Sequence, residues 1–222
     1  MRVGLRGLMV VGFALVLAIQ AWAYPEAARQ TKAACAACHV NPAGGAALSD
    51  AGKAFKAEKK APDTKVAGAE YVGPNKCRMC HLKEHKSWGE TRHAKAFAML
   101  KTAPDSTVAK VAKMMGVELK GPAAQSDACV VCHVTGFKLP GGYPAADSVK
   151  NVSLMAVSCE SCHGPGGKHV AATMADKKKM IDRAVTANMC TQCHTPAFSP
   201  KFNFEEFKKK GVHAVPVPKT AG

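Results

Sequence analysis

All ten cysteines and five of the nine histidines fall into one repeated pattern, Cys-x-x-Cys-His. The copies are Cys35/Cys38/His39, Cys77/Cys80/His81, Cys129/Cys132/His133, Cys159/Cys162/His163 and Cys190/Cys193/His194. Two thiols at this spacing can each add across a vinyl group of one porphyrin, and the imidazole that follows can take an axial position on its iron. This is the attachment signature of c-type haem. At this composition the pattern would arise by chance roughly 0.02 times, so five copies that use every cysteine predict five covalently bound haem c groups.

Two other uses of the thiols fit less well. A zinc ribbon needs four ligands per metal and gives no reason for a histidine after every second cysteine. Ten cysteines in 222 residues also fall well below the roughly 8–10% that marks a disulfide scaffold.

Four histidines lie outside the motifs: His85, His93, His169 and His213. Five irons, each with two imidazoles, would need five. At least one haem must therefore use methionine, borrow a ligand from another chain or keep an open position. On a helix, His85 sits about 40° around the axis from His81, so the two cannot hold opposite faces of one haem, and His85 is expected to serve a different one. His93, about 120° round the same helix, can reach a third, so one helix would organise three haems. His169 follows Gly164-Pro165-Gly166-Gly167, a turn able to swing it away from its own motif. His213 follows Phe202, Phe204 and Phe207, whose spacing predicts an anchored tail. Trp88, near His85, reads as a ring packed on porphyrin, and the methionines read mainly as packing residues. No Ser/His/Asp array, phosphate-binding loop or suitably spaced carboxylate pair is present, so no catalytic residue is assigned.

The elements that position these groups read as helices and loops. Leu48 to Lys60, His81 to Leu100, Ser106 to Met115 and Met174 to Met189 are expected to be helical, with Gly89 a weak point in the second. Gly136 to Pro144 and Gly164 to Gly167 are expected loops. No alternating strand pattern is convincing. The expected fold class is mostly α with extensive loops, little or no sheet and a haem-stacked core. Residues 1–23 form an expected signal peptide: Arg2 and Arg6, an apolar run from Leu8 to Ile19, then Ala21-Trp22-Ala23 before Tyr24. That run is shorter than the ~20 residues of a membrane-spanning helix. A segment 24–66 with one motif and a segment 67–222 with four are expected, separated by a linker at about Lys59 to Glu70. Export to the periplasm or outer surface of a bacterium follows from the leader, and no membrane span is expected after its cleavage.

The chain carries a net charge of +15, which would ordinarily suggest nucleic acid or an anionic surface. Ten haem propionates give the lysines a nearer counter-charge, so no nucleic acid is expected. Leu, Ile, Val and Phe make up only 31 of the residues from 24 to 222, below the roughly 20% at which charged chains look disordered. Porphyrin is expected to supply the missing apolar volume.

Residues Tyr71 to about His213 resemble the tetrahaem cytochrome c-554 family. The resemblance rests on Cys77-Arg-Met-Cys80-His81 with Trp88-Gly-Glu-Thr91-Arg-His93-Ala94-Lys-Ala96, and on Cys129-Val-Val-Cys132-His133-Val134-Thr-Gly136-Phe137 with Gly141-Gly142-Tyr143. Cys159-Glu160-Ser161-Cys162-His163-Gly164-Pro165-Gly166 and Cys190-Thr-Gln-Cys193-His194 complete it. It implies a mostly helical protein with haems in close pairs. It also implies distal histidines at His93 and His169, with His85 near another ligand position, and a five-coordinate haem at Cys129/Cys132/His133. The motif at Cys35/Cys38/His39 is additional to the family pattern, and His213 could close the site that is open in the relatives. The implied function is electron transfer between redox partner proteins. The alternatives are reduction of nitric oxide or hydroxylamine at one open haem, or self-association into a conducting filament in which a neighbouring subunit supplies an axial ligand.

The sparse aliphatic content generates a first prediction. With all ten cysteines replaced by serine, the chain has too small a core to offset its conformational entropy. Far-ultraviolet circular dichroism is expected to show loss of most helical signal and no cooperative melt.

Overall fold

The structure is a computed structural model, and it describes residues 27, 31, 33, 35–39, 48–62, 70–210 and 212–214. The expected signal peptide and most of the expected linker lie outside these residues. Among the described residues there is no sheet, and the single bridge joins His39 to Leu48. The mostly helical expectation matches this architecture of short helices and loops.

Around the Cys35/Cys38/His39 motif, helix α1 (Cys35–Cys38) packs against α2 (Asp50–Glu58). The Ser49 hydroxyl caps α2 by accepting from the Gly52 N–H at 3.2 Å, and it donates to the Ala37 carbonyl at 3.0 Å. One side chain therefore starts a helix and fastens it to the motif. Gly52 lies where any β-carbon would collide with the Cys38 carbonyl, which permits the close approach.

The other four motifs, counted one to four in chain order from Cys77, are carried and connected by α3 (Pro74–Arg78), α4 (Leu82–Gly89), α5 (Ala96–Lys101), α6 (Asp105–Met115), α7 (Asp127–Val130), α8 (Ser148–Leu154), α9 (Cys159–His163), α10 (Gly167–Ala171), α11 (Ala187–Cys190) and α12 (Phe204–Lys210). Pro74 at the first turn suits α3. Gly116 in the left-handed region closes α6 where the sequence placed its end.

Two expected helices are not continuous. The stretch from His81 to Leu100 breaks after Gly89, because the Thr91 hydroxyl donates to the Trp88 carbonyl at 2.7 Å and the Trp88 indole donates to the Val157 carbonyl at 3.0 Å. These side-chain bonds compete with the helical ladder. The Val157 N–H then takes the His93 carbonyl at 3.0 Å. His93 consequently leaves the axis that carries His81, and the single helix organising three haems does not exist. The stretch from Met174 to Met189 forms only a 3-10 turn at Lys177–Lys179 and the short α11. The carbonyls of Lys177 and Asp182 accept from the imidazoles of His169 and His163 instead.

The largest cluster of buried apolar side chains joins Phe97, Val130, Val134 and Phe137, with Tyr143 and Met155 against its edge. It surrounds the Cys129/Cys132/His133 motif. Tyr71 seals the adjacent loop, its N–H donating to the Pro140 carbonyl at 3.0 Å. Gly136 and Gly141 have φ of 65° and 71°, and a β-carbon on Gly142 would run into the Gly136 carbonyl. Gly142→Ala is expected to lower stability by about 1–3 kcal/mol, read as a lower melting temperature of the haem-loaded protein.

Candidate haem-binding site

Three pairs of imidazoles face each other, and in each pair one ring comes from a motif and the other from elsewhere in the chain. His81 faces His169 with ring centres 6.2 Å apart, His163 faces His213 at 6.1 Å, and His194 faces His93 at 6.0 Å. A metal–imidazole nitrogen bond is about 2.0–2.1 Å, which puts a ring centre about 3 Å from the metal. Two imidazoles on opposite sides of one ion therefore stand about 6 Å apart. The spacing fits an iron with two axial histidines. Among the described residues no group of three or more His, Cys, Asp or Glu is arranged to hold a metal ion.

Ring orientation is set from behind. His163 Nδ1 lies 2.7 Å from the Asp182 carbonyl, His169 Nδ1 2.8 Å from that of Lys177, and His213 Nδ1 2.9 Å from that of Ala214. His133 Nδ1 is 2.8 Å from the Ala96 carbonyl. A carbonyl can only accept, so each Nδ1 carries the proton and each Nε2 lone pair is left for a metal. His194 Nδ1 meets the Ser199 hydroxyl at 2.9 Å. Burial holds His163 and His194 below the usual imidazole pKa, helped at His194 by the nearby His93. That favours the neutral, ligating form.

His133 differs from the other three. Among the described residues no aromatic or imidazole ring stands opposite it, although its Nδ1 is bound as those of His163 and His194 are. His85 lies against Trp88 with ring centres 5.2 Å apart, and Trp88 is committed to Val157. His213, which the sequence allowed to reach the second motif, stands at the third. His39 lies in the bridge with Leu48.

The thiols are also ordered. Cys77 shares a hydrogen bond with Cys159, and Cys193 shares one with Cys132. These bonds, with burial, push Cys77 and Cys193 up. Burial pushes Cys162 up to about 12, with Cys190 and Cys159 as its charged neighbours. Motifs one and three thus adjoin, as do two and four, and Cys162 beside Cys190 links the two pairs. The side chains of Cys38, Cys80, Cys129 and the remaining cysteines of the last four motifs form no disulfide. Beside His81 and His169, apolar side chains stand in the open: Met79 is 77% exposed, Leu82 64% and Met174 81%. A flat macrocycle between the two rings would cover such surface.

Two buried anchors had little signal in the sequence. Glu160, between two attachment cysteines, accepts from the N–H groups of Val72 at 2.9 Å, Gly73 at 2.7 Å and Gly166 at 2.7 Å. It ties the approach to the first motif and the turn before His169 onto the third motif. Burial raises its carboxyl above the ordinary range, opposed by those three donors. The Thr135 hydroxyl, wholly buried, bonds the Ala156 carbonyl at 2.6 Å and the Ser158 hydroxyl at 2.8 Å, joining motif two to motif three. An acid inside a Cys-x-x-Cys pair was the only visible hint of the first anchor.

The family model described as "Cytochrome c554 and c-prime" matches residues 76–164. The solved structure titled "Reduced state of cytochrome c554 from Nitrosomonas europaea" is 29% identical, covers 66% of this chain and 86% of that one, and superposes with a TM-score of 0.49. Cytochrome c-554 of Nitrosomonas europaea is 35% identical over 173 residues, which span 70% of this chain and 67% of that protein. The chain belongs to the cytochrome c554 family. As a member of that family it is a haem-bearing multihaem cytochrome c of electron transport. Among the described residues no helix is long and apolar enough to cross a membrane.

Removing the carboxylate that holds this family member's loops gives the next prediction. Glu160→Ala leaves three amide donors without their acceptor, at about 1–3 kcal/mol for each that stays buried and unsatisfied. A marked fall in the melting temperature of the haem-loaded protein is expected, with a smaller fall for Glu160→Gln, which keeps one acceptor oxygen.

Proposed function

We propose that the chain is an exported pentahaem cytochrome c that passes electrons between redox partner proteins in the periplasm or at the outer surface of a bacterium. The observation that carries this reading is the set of three facing imidazole pairs at 6.0–6.2 Å. When bound, the haems supply the one-electron redox chemistry. The protein's part is to hold each iron from both sides and to set the polarity around it. In this reading Cys77/Cys80, Cys129/Cys132, Cys159/Cys162 and Cys190/Cys193 attach four groups, and Cys35/Cys38 attach the fifth with His39 as its proximal ligand. His81 with His169, His163 with His213 and His194 with His93 are the axial pairs. His133 binds from one side. His85 is the remaining imidazole, available as a ligand to a haem other than that of His81. Two closed axial positions leave no place for a substrate, which favours conduction at the three paired sites. The thiol contacts support an order of motifs one, three, four, two along the path.

The lack of a ring opposite His133 supports a second reading, in which that position admits a small nitrogen compound such as nitric oxide or hydroxylamine. The protein as isolated separates the two, because a high-spin signal that responds to nitric oxide favours the second.

Denaturing mass spectrometry is expected to find the chain from Tyr24 plus five haem masses; a value fitting four would remove the haem at Cys35/Cys38. In His93→Ala all haems should stay attached, since thioethers do not involve the distal side. One low-spin iron should become high-spin by electron paramagnetic resonance, with its potential shifted upward. An unchanged low-spin count would show that His93 ligates no haem.

A further inference from the structure

The segment from Lys201 to Ala214 joins two of the facing pairs. Phe202 stacks on His194 with ring centres 4.9 Å apart, and Phe207 meets the same imidazole edge-on at 5.7 Å. Phe202 and Phe207 also contact each other at 5.0 Å. These contacts fasten α12 over the fourth motif. Beyond α12 the chain delivers His213 to His163, and the Ala214 N–H is held by the Ser87 hydroxyl at 2.8 Å.

The outer end of α12 is Lys208-Lys209-Lys210, all three exposed. Lys208 lies over the Phe204 ring at 5.2 Å. None of the ion pairs among the described residues includes any of the three. A few other cations are held within the chain. Lys179 pairs with Asp176, Lys138 with Asp127 and Lys53 with Asp50, while Lys177 donates to the carbonyls of His169 and Val170. The α12 lysines border a cleft lined by Ser87, Glu205, Lys208, Lys209, Val212 and His213. Glu205 and Glu206 sit in the first turn of the helix, and among the described residues Glu205 is the one carboxylate in the lining of this cleft, against two lysines.

We propose that this lysine-rimmed cleft is the docking face for an acidic redox protein, which presents carboxylates to Lys208, Lys209 and Lys210 next to the His163–His213 pair. The proposal rests on the electron-transfer reading above. It adds where a partner meets the chain and with what chemistry. Unpaired cations steer an anionic partner and fix its orientation. The partner gives or takes one electron at a time, itself being oxidised or reduced by the same count. His213 lines this cleft and faces His163 at 6.1 Å, so docking there brings a partner next to that pair.

The test uses the haem-loaded protein, with haem content first verified by mass, so that failure of the haem reading is seen separately. A fluorescein-labelled decaglutamate peptide is titrated against wild type, against Lys208→Glu/Lys209→Glu/Lys210→Glu, and against Lys110→Glu/Lys113→Glu/Lys120→Glu, which changes net charge equally at another place. Binding by anisotropy at low salt should weaken about tenfold or more in the first variant and less than about threefold in the second. Carbodiimide coupling of the peptide to wild type, followed by peptide mapping, should place the cross-links mainly on Lys208–Lys210, a result that needs no variant to fold. Stopped-flow oxidation of the reduced protein by hexacyanoferrate(III) should slow in the first variant only. Equal weakening in both variants, or cross-links scattered over the surface lysines, would overturn the proposal. Binding to phosphatidylglycerol vesicles through these lysines, with none to the peptide, would overturn it in favour of a membrane surface.

Discussion

The arrangement on which the rest depends is an imidazole from one part of the chain held about 6 Å from an imidazole of a distant motif, with His163, His169, His194 and His213 each aimed from behind. A ring free to rotate about its side-chain bonds would present either nitrogen. A ring whose Nδ1–H is committed to a backbone carbonyl presents only Nε2. At His163, His169 and His213 the carbonyl belongs to Asp182, Lys177 and Ala214. This requirement explains an otherwise odd property of the fold, the absence of regular helix between Met174 and Met189. A continuous α-helix would spend those carbonyls on its own ladder. The irregular backbone is what holds the imidazoles of His163 and His169.

Because the pairs cross between motifs, they also act as the long-range ties of the molecule. His169 returns the third motif's turn to the first motif, His93 brings the turn after α4 to the fourth, and His213 brings the tail to the third. The haems would therefore join remote segments as well as attach to local ones, which suits a chain with so few large aliphatic side chains. Glu160 and Thr135 are the protein's own version of the same tie. Each sits inside or beside a motif and binds backbone groups from other motifs, so spacing between neighbouring centres is fixed by short, buried hydrogen bonds. The apolar cluster of Phe97, Val130, Val134 and Phe137 is concentrated at the second motif, where no second imidazole is present to help.

The charge has two different fates. Most cations for which a partner is seen are spent locally, on an aspartate three residues away or on a carbonyl that shapes a ligand turn, as with Lys177. Among the described residues the lysines at the end of α12 join no ion pair, and Lys208 and Lys209 border the tail histidine. Internal charge balance, inferred from propionates, and a positive face for a partner are therefore compatible. They concern different lysines.

Attachment chemistry was legible in the sequence because it is local: thiols three residues apart and an adjoining histidine are set by covalent reach, and neighbours along the chain suffice. The turn residues between motifs and the lack of an alternating pattern likewise pointed to helices and loops without a sheet, though not to helices as short as those observed. What local reading could not supply was pairing. A helix assumed through Gly89 put His93 on the wrong axis, because the bonds that break it come from Thr91 within the helix and from Val157 far along the chain. The tail histidine could have reached the second or the third motif by length alone. Only packing of Phe202 and Phe207 on His194, and the hold of Ser87 on Ala214, decide that it stands at the third. Distal ligands and the order of the motifs in space depend on contacts between residues dozens of positions apart, and such contacts exist only once the chain has folded.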